Sequence, residues 1–210
     1  SASMAVQHLV NLGHERIAII SGDPKEPVHF TVPLSRRVGY CATLTASGIP
    51  VNEELEAHGP FSVDGGDEAT VQLLSRRVFP TAIFAECDEM AFGVLRALRR
   101  VGLRAPADVS VIGFDDHPMA PYLDLTTVAQ DVREQGRQIA AHLVEAVSRS
   151  SHALRSEPVE LEAGTRLVVR GTTSVVGLEG PGMSPLGGPY ATTDGWRSRP
   201  TSPQEARMSV

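Results

Sequence analysis

Three short runs, RIAIIS at 16–21, TAIFAE at 81–86 and VSVIGF at 109–114, are apolar through their centres and alternate with stretches whose apolar residues recur every three or four positions. Strands that are apolar on both sides must be covered on both faces. Alternation of such strands with amphipathic helices builds an open parallel sheet with helices above and below. The helical stretches can be read one by one. Ala2, Val6, Leu9 and Val10 share a face ahead of Gly13, and Leu34, Val38, Cys41 and Leu44 share one ahead of Gly48. Met90, Ala91, Val94, Leu95, Leu98 and Val101 do the same ahead of Gly102, glycine being the residue that most readily ends a helix. Asp64 offers an N-cap for a helix running to about Arg77, and Asp88 offers one for the helix after the second strand.

Further along, a helix is expected over 131–148, with Val132, Ile139, Leu143, Val144 and Val147 on one side. VELEA (159–163) and RLVVR (166–170) read as two short strands around Gly164, in the manner of a hairpin. From about 175 to 210 Gly, Pro, Ser and Thr dominate without apolar periodicity, so a disordered tail is expected there and no chemistry is assigned to it. The expected organisation is one α/β domain over 1–174 followed by that tail.

Composition narrows the function classes. The chain of 210 residues is 41% hydrophobic, enough for one substantial core. Its net charge of −6 offers no broad basic surface for neutralising phosphates, so direct nucleic-acid contact by this segment is not expected. The two cysteines, Cys41 and Cys87, are far apart and outside any CxxC or His/Cys cluster. Neither a disulfide framework nor a metal site is indicated, and a reducing cytoplasm fits. No run reaches the roughly 20 apolar residues of a membrane helix, and SASMAVQHLV lacks the order of a signal peptide.

In an open parallel sheet, ligands bind outside the carboxyl ends of the strands. The three strands run out at Gly22 and Asp23, at Cys87 and Asp88, and at Asp115 and Asp116, which gathers acidic side chains on one edge. Carboxylates there can accept from vicinal sugar hydroxyls, cap helices, hold a divalent ion or act in catalysis. Arg36 and Arg37 open the helix at 34–47, after a loop that can face the same edge, and a guanidinium supplies a planar fork of donors, although arginines on a helix are more often solvated. Phe61, in HGPFSVDG, can wall a ring-shaped ligand or simply join the core. Enzyme readings find little. Cys87 has only His117 as a plausible partner, neither GxGxxG nor a Walker-type loop is present, and GFDD lacks the lysine and DxD spacing of phosphotransfer sites. No cofactor and no catalytic residue are assigned.

The ordered segments HLVNLGHERIAIISG (8–22), SRRVGY (35–40), LTASGI (44–49), PTAIFAECDEMAFGVLRALRRVGLRAPADVSVIGFDD (80–116), LTTVAQ (125–130) and RLVVRGTT (166–173) closely resemble the LacI/GalR bacterial transcription regulators, over roughly residues 1–174. The resemblance implies a type I periplasmic-binding-protein-like core of two α/β subdomains hinged around a sugar or nucleobase effector and preceded by a helix-turn-helix. This sequence would hold the second subdomain almost whole, with the helix at 131–148 crossing to the first and its apolar stripe left without a surface, so exposed, misplaced or used in association. By position, Arg36 matches the arginine that grips effector hydroxyls or carboxylate, Asp115 the acidic residue that accepts from the ligand, and Phe61 the aromatic that stacks on its ring. Asp88 follows the place of the usual asparagine, which is Cys87 here; a thiol cannot supply an amide's paired donor and acceptor. Gln130 matches a position at the crossing between subdomains. The implied partners are a sugar-like effector, operator DNA through the helix-turn-helix alone, and a second copy in a homodimer. A solute-binding transport component is the alternative with the same fold, and a hydrolase or phosphotransferase using Asp115 and Asp116 is a third reading.

Overall fold

The apolar strands read from the sequence pair side by side because their residues split between two cores. The structure, a computed structural model, describes residues 1–22, 31–149 and 164–177. Helix α1 (Ala2–Asn11) leads into β1 (Ile17–Gly22), followed by α2 (Thr31–Ala46), a 3-10 turn (Glu53–Leu55), β2 (Glu56–Gly59) and α3 (Val63–Leu74). Then come β3 (Ala82–Ala85), α4 (Asp88–Arg100), β4 (Ser110–Asp115), β5 (Thr126–Gln130), α5 (Val132–Arg149) and β6 (Thr165–Val168). The strand order is β2-β1-β3-β4-β5-β6, with every pair parallel except β5–β6. The fold is thus the expected α/β sheet of mostly parallel strands, made mixed by one antiparallel edge strand.

Alternate strand residues point to opposite faces. Ala18, Ile20, Ile83, Ala85 and Val111 pack with Ala69 and Leu73 of α3 and Met90, Val94 and Leu98 of α4. Ile17, Ile19, Ala82, Phe84, Ile112 and Phe114 pack with Val6 and Leu9 of α1 and Tyr40 and Leu44 of α2. All of these side chains are buried. Two helices on each face explain why β1 and β3 carry no polar side at all.

Several boundaries differ from the sequence reading. The helix expected from Asp64 is capped instead by Ser62, whose hydroxyl accepts from Gly65 N at 3.0 Å, and it stops at Leu74 rather than Arg77. Ser62 has the extended backbone an N-cap needs, whereas Asp64 already lies inside the first turn. Ser62→Ala should lower the stability of the domain by about 1 kcal/mol in urea unfolding, the usual cost of a lost cap. Asp88 is likewise not the N-cap of α4. Cys87 holds that place, its Sγ accepting from Met90 N at 3.4 Å. RLVVR does pair in the sheet, with Thr165–Val168 running antiparallel to β5, while VELEA lies outside the described residues. So does the expected tail beyond residue 177.

Two strands went unread. β2 (EAHG) carries polar residues at an edge, and the TTVAQ of β5 is rich in threonine; neither has an apolar run or a clear alternation. The apolar side of α5 is exposed as expected, at Val132, Ile139, Leu143, Val144 and Val147. Among the described residues no helix is long and apolar enough to cross a membrane.

Candidate functional site

In the order β2-β1-β3-β4, the chain turns to one side from β1 to reach β2 and then crosses back to the other side to reach β3. This reversal opens a crevice between the carboxyl ends of β1 and β3, the usual ligand site in sheets of this winding. Gly22 ends β1, and Glu86 and Cys87 follow β3 directly. Beyond them, Asp115 ends β4 and Gln130 ends β5.

Arg36 reaches this edge from α2. Its side chain is only 12% exposed, so it is not the solvated helix arginine that the residue type alone would suggest. It donates to the main-chain carbonyl of Glu86, stands 4.0 Å over the centroid of Phe114, and lies 3.5 Å from Asp115 Oδ1. Gln130 Nε2 donates to that same Asp115 oxygen. Burial raises the Asp115 carboxyl above its ordinary value, against the pull of Arg36 and Gln130. The side chain nevertheless remains 38% exposed and available. Arg36, Asp115 and Gln130 therefore form one cluster, drawn from α2, β4 and β5.

The neighbouring residues are employed differently. Arg37 turns away to a two-pronged pair with Glu56 of β2, at 2.6 and 2.9 Å. Asp116 is held by Arg170 at 2.7 Å and lies 3.6 Å from Arg166, facing the β6 side. Asp115 and Asp116 thus part company, each with a left-handed backbone (φ +115° and +55°) that swings the two carboxylates apart. Asp88 is buried and fully engaged: Oδ1 accepts from Thr127 Oγ1 at 2.6 Å and Oδ2 from His117 N at 2.7 Å. Burial pushes its pKa up to about 6, with those two donors pulling the other way. Its carboxylate ties the turn after β4 to β5 and is spent on internal partners.

Cys87 is buried, and burial pushes its thiol up to about 12, so it stays protonated near neutrality. Any ligand contact from Cys87 would have to share the sulfur that caps α4. Phe61, between β2 and α3, is 39% exposed and so is not core. Its ring closes over the end of β1: a Cβ added to Gly22 would lie 2.4 Å from Phe61 Cε2 and 3.1 Å from Pro33 Cγ. Only glycine at 22 leaves that ring its place.

Glu86 escaped the sequence reading. The only signal was a charge closing an apolar run, and the structure puts its side chain fully out of solvent at the crevice between β1 and β3. On the α1–α2 side of the edge, a groove of about 510 Å³ is lined by Thr31, Ser35, Arg36, Gly39, Phe114 and Gln130, among others. It shares Arg36 and Gln130 with the cluster, along with the Phe114 ring under Arg36, but does not reach Phe61 or Cys87. No group of three or more His, Cys, Asp or Glu suited to a metal ion occurs among the described residues.

Residues 6–173 match the family model described as the periplasmic binding protein-like domain. The chain belongs to that family. Within it, the relatives are LacI-type regulators, as the sequence resemblance implied. The HTH-type transcriptional regulator CelR of Thermobifida fusca is 37% identical over 168 residues, 79% of this chain and 47% of that protein. Among solved structures, a CelR–cellobiose complex superimposes with a TM-score of 0.73 at 36% identity, covering 81% of this chain and 50% of that one. A LacI family regulator from Enterococcus faecium with bound ribose gives 0.73 at 31% identity, covering 83% and 62%. This periplasmic binding protein-like chain spans about half the length of the curated relatives it matches.

Proposed function

We propose that this chain is the effector-sensing part of a LacI-type transcription regulator, that its ligand is a sugar or related polyol, and that it catalyses no reaction. The observation that carries this is the Arg36–Asp115–Gln130 cluster at the carboxyl edge of the sheet, beside the β1/β3 crevice and its exposed Phe61 ring. A guanidinium fork, a carboxylate and an amide side by side offer donors and acceptors in alternation, which is what a run of vicinal hydroxyls requires. An exposed aromatic ring complements the apolar face of a sugar ring. Similarity to regulators solved with cellobiose and with ribose supports the ligand class, and relatives described as HTH-type regulators support a regulator over a transport component. Against catalysis stand the divergent Asp115 and Asp116 and the protonated thiol of Cys87.

In this reading operator DNA is contacted through a helix-turn-helix outside this sequence, in the cytoplasm and as a homodimer. Ligand acts by favouring one arrangement of the two halves of the sensor, which requires a difference in affinity between the two arrangements. The test is titration of the chain with ribose, cellobiose and a panel of neutral mono- and disaccharides, by calorimetry and amide chemical shifts. Arg36→Ala should weaken the best-bound sugar by roughly ten- to a hundredfold, the worth of charge-assisted hydrogen bonds. Arg37→Ala, whose partner is Glu56, should leave affinity unchanged. Equal loss in both variants, or none in either, would sink the reading.

A further inference from the structure

Glu86 is the buried group that the cluster described above does not use. Its carboxyl lies between the two strands that flank the crevice: Oε2 accepts from Gly22 N, the last residue of β1, at 3.1 Å, while its own main chain follows β3 and its carbonyl takes a hydrogen bond from Arg36. The side chain is fully buried, yet among the described residues Oε1 has no hydrogen-bond partner. A buried carboxyl oxygen without a partner is costly, and almost all buried polar atoms in folded proteins are satisfied. Such a group calls for a partner, and a ligand or an ordered water can supply it. The orphan here stands at the switch point of the sheet, next to the arginine and the aromatic-covered glycine that form the walls of the site.

We infer that Glu86 is a specificity-determining residue of the effector site, and that it selects a neutral, hydroxyl-bearing ligand by exchanging a hydrogen bond between Oε1 and one ligand hydroxyl. This inference rests on reading the edge as the effector site. The chemistry favours a neutral partner over a cationic one. Burial raises the pKa of Glu86 to about 8, overriding the Gly22 amide and Arg36, both of which pull it down. The side chain is then an uncharged acid at neutral pH. With Oε2 committed as an acceptor, Oε1 carries the proton and can both donate and accept, as a sugar hydroxyl can. An ammonium ligand would need the ionised form.

The distinction can be read with two variants of Glu86. Glu86→Gln keeps an acceptor for Gly22 N and presents an uncharged donor where Oε1 stood. Glu86→Met fills the same volume with no polar atom. With ribose, cellobiose and the same panel of neutral sugars at up to tens of millimolar, Glu86→Gln should bind within about threefold of the natural chain and Glu86→Met at least about tenfold more weakly. Circular dichroism checks that each variant folds. If Glu86→Met does not fold, the Gly22 amide resonance of the natural chain serves instead, since it reports directly on the carboxyl and must shift when sugar is added. Equal losses in both variants would mean a charge contact and overturn the inference. So would full binding by Glu86→Met, or an unmoved Gly22 amide in a chain that binds sugar. Those outcomes leave the sensor reading intact as long as Arg36→Ala still loses affinity; if the natural chain binds no sugar at all, both fall together.

Discussion

Gly93→Val is expected to cost about 4 kcal/mol or more, a large share of the roughly 5–15 kcal/mol that holds a domain of this size together, and to lower the melting temperature accordingly. α3 and α4 touch backbone to backbone. A Cβ on Gly93 would lie 2.1 Å from Val63 O and 2.5 Å from Asp67 N, and a Cβ on Gly66 would lie 2.1 Å from Met90 O. These obstacles are main-chain atoms of the facing helix, so no rotamer change can relieve them. Any side chain at 93 must push the two helices apart, and Leu73, Met90, Val94 and Leu98 beneath them would lose their contacts. The salt bridges of buried Asp67 with Arg96 (2.6 Å) and Arg100 (2.5 Å) would be stretched as well. Gly93→Ala should fall between the natural chain and Gly93→Val in thermal and urea melts. A natural-like melting temperature for the valine variant would show that the helix contact is looser than these distances imply.

Asp88→Ala is the second large effect, about 3 kcal/mol. Removing the carboxylate strands the His117 amide and the buried Thr127 hydroxyl, each of which then bears the cost of desolvation without a partner. It also opens a hole beside Gly113, where an added Cβ would stand 2.2 Å from Asp88 Oδ1. Asp88 contributes a pH dependence with a definite sign. Its folded pKa, about 6, lies above its ordinary 3.8. Between those values the folded state therefore holds more of the proton than the unfolded one, and the contribution present below about 4 is lost as pH rises through 6. Asp88→Asn should remove that slope from the stability curve. If the curve between pH 4 and 7 is the same with and without the aspartate, the buried brace is not as drawn.

Much of this architecture is written in the chain, for physical reasons that differ from element to element. β1, β3 and β4 could be read because both of their faces are covered, so nearly every residue is apolar. β2 and β5 could not, because an edge strand and a threonine-rich strand leave no run and no alternation. The starts of α3 and α4 slipped by two residues and one because capping depends on an extended backbone at Ser62 and Cys87, and residue type alone ranks aspartate as highly as serine. At the site, the strand-end rule located Asp115, and the family resemblance matched Arg36 and Gln130 to effector-contacting and crossing positions. It could not tell that Asp88 and Asp116 would be consumed by Thr127, His117 and Arg170. Nor could it weigh Glu86, since a charge at the end of an apolar run looks the same whether it reaches water or is sealed away from it.

The fixing of Arg36 on three sides, by the Glu86 carbonyl, the Phe114 ring and Asp115, has a thermodynamic corollary. A free arginine gives up about 2 kcal/mol of rotational freedom when it is clamped. Here that loss falls on folding, so at the proposed effector site a ligand would meet a guanidinium already aimed and would not bear the cost of ordering it. Preorganisation of this kind slows dissociation more than it speeds capture. On the proposed reading, a sensor built around such an arginine is suited to holding its signal rather than to sampling it quickly.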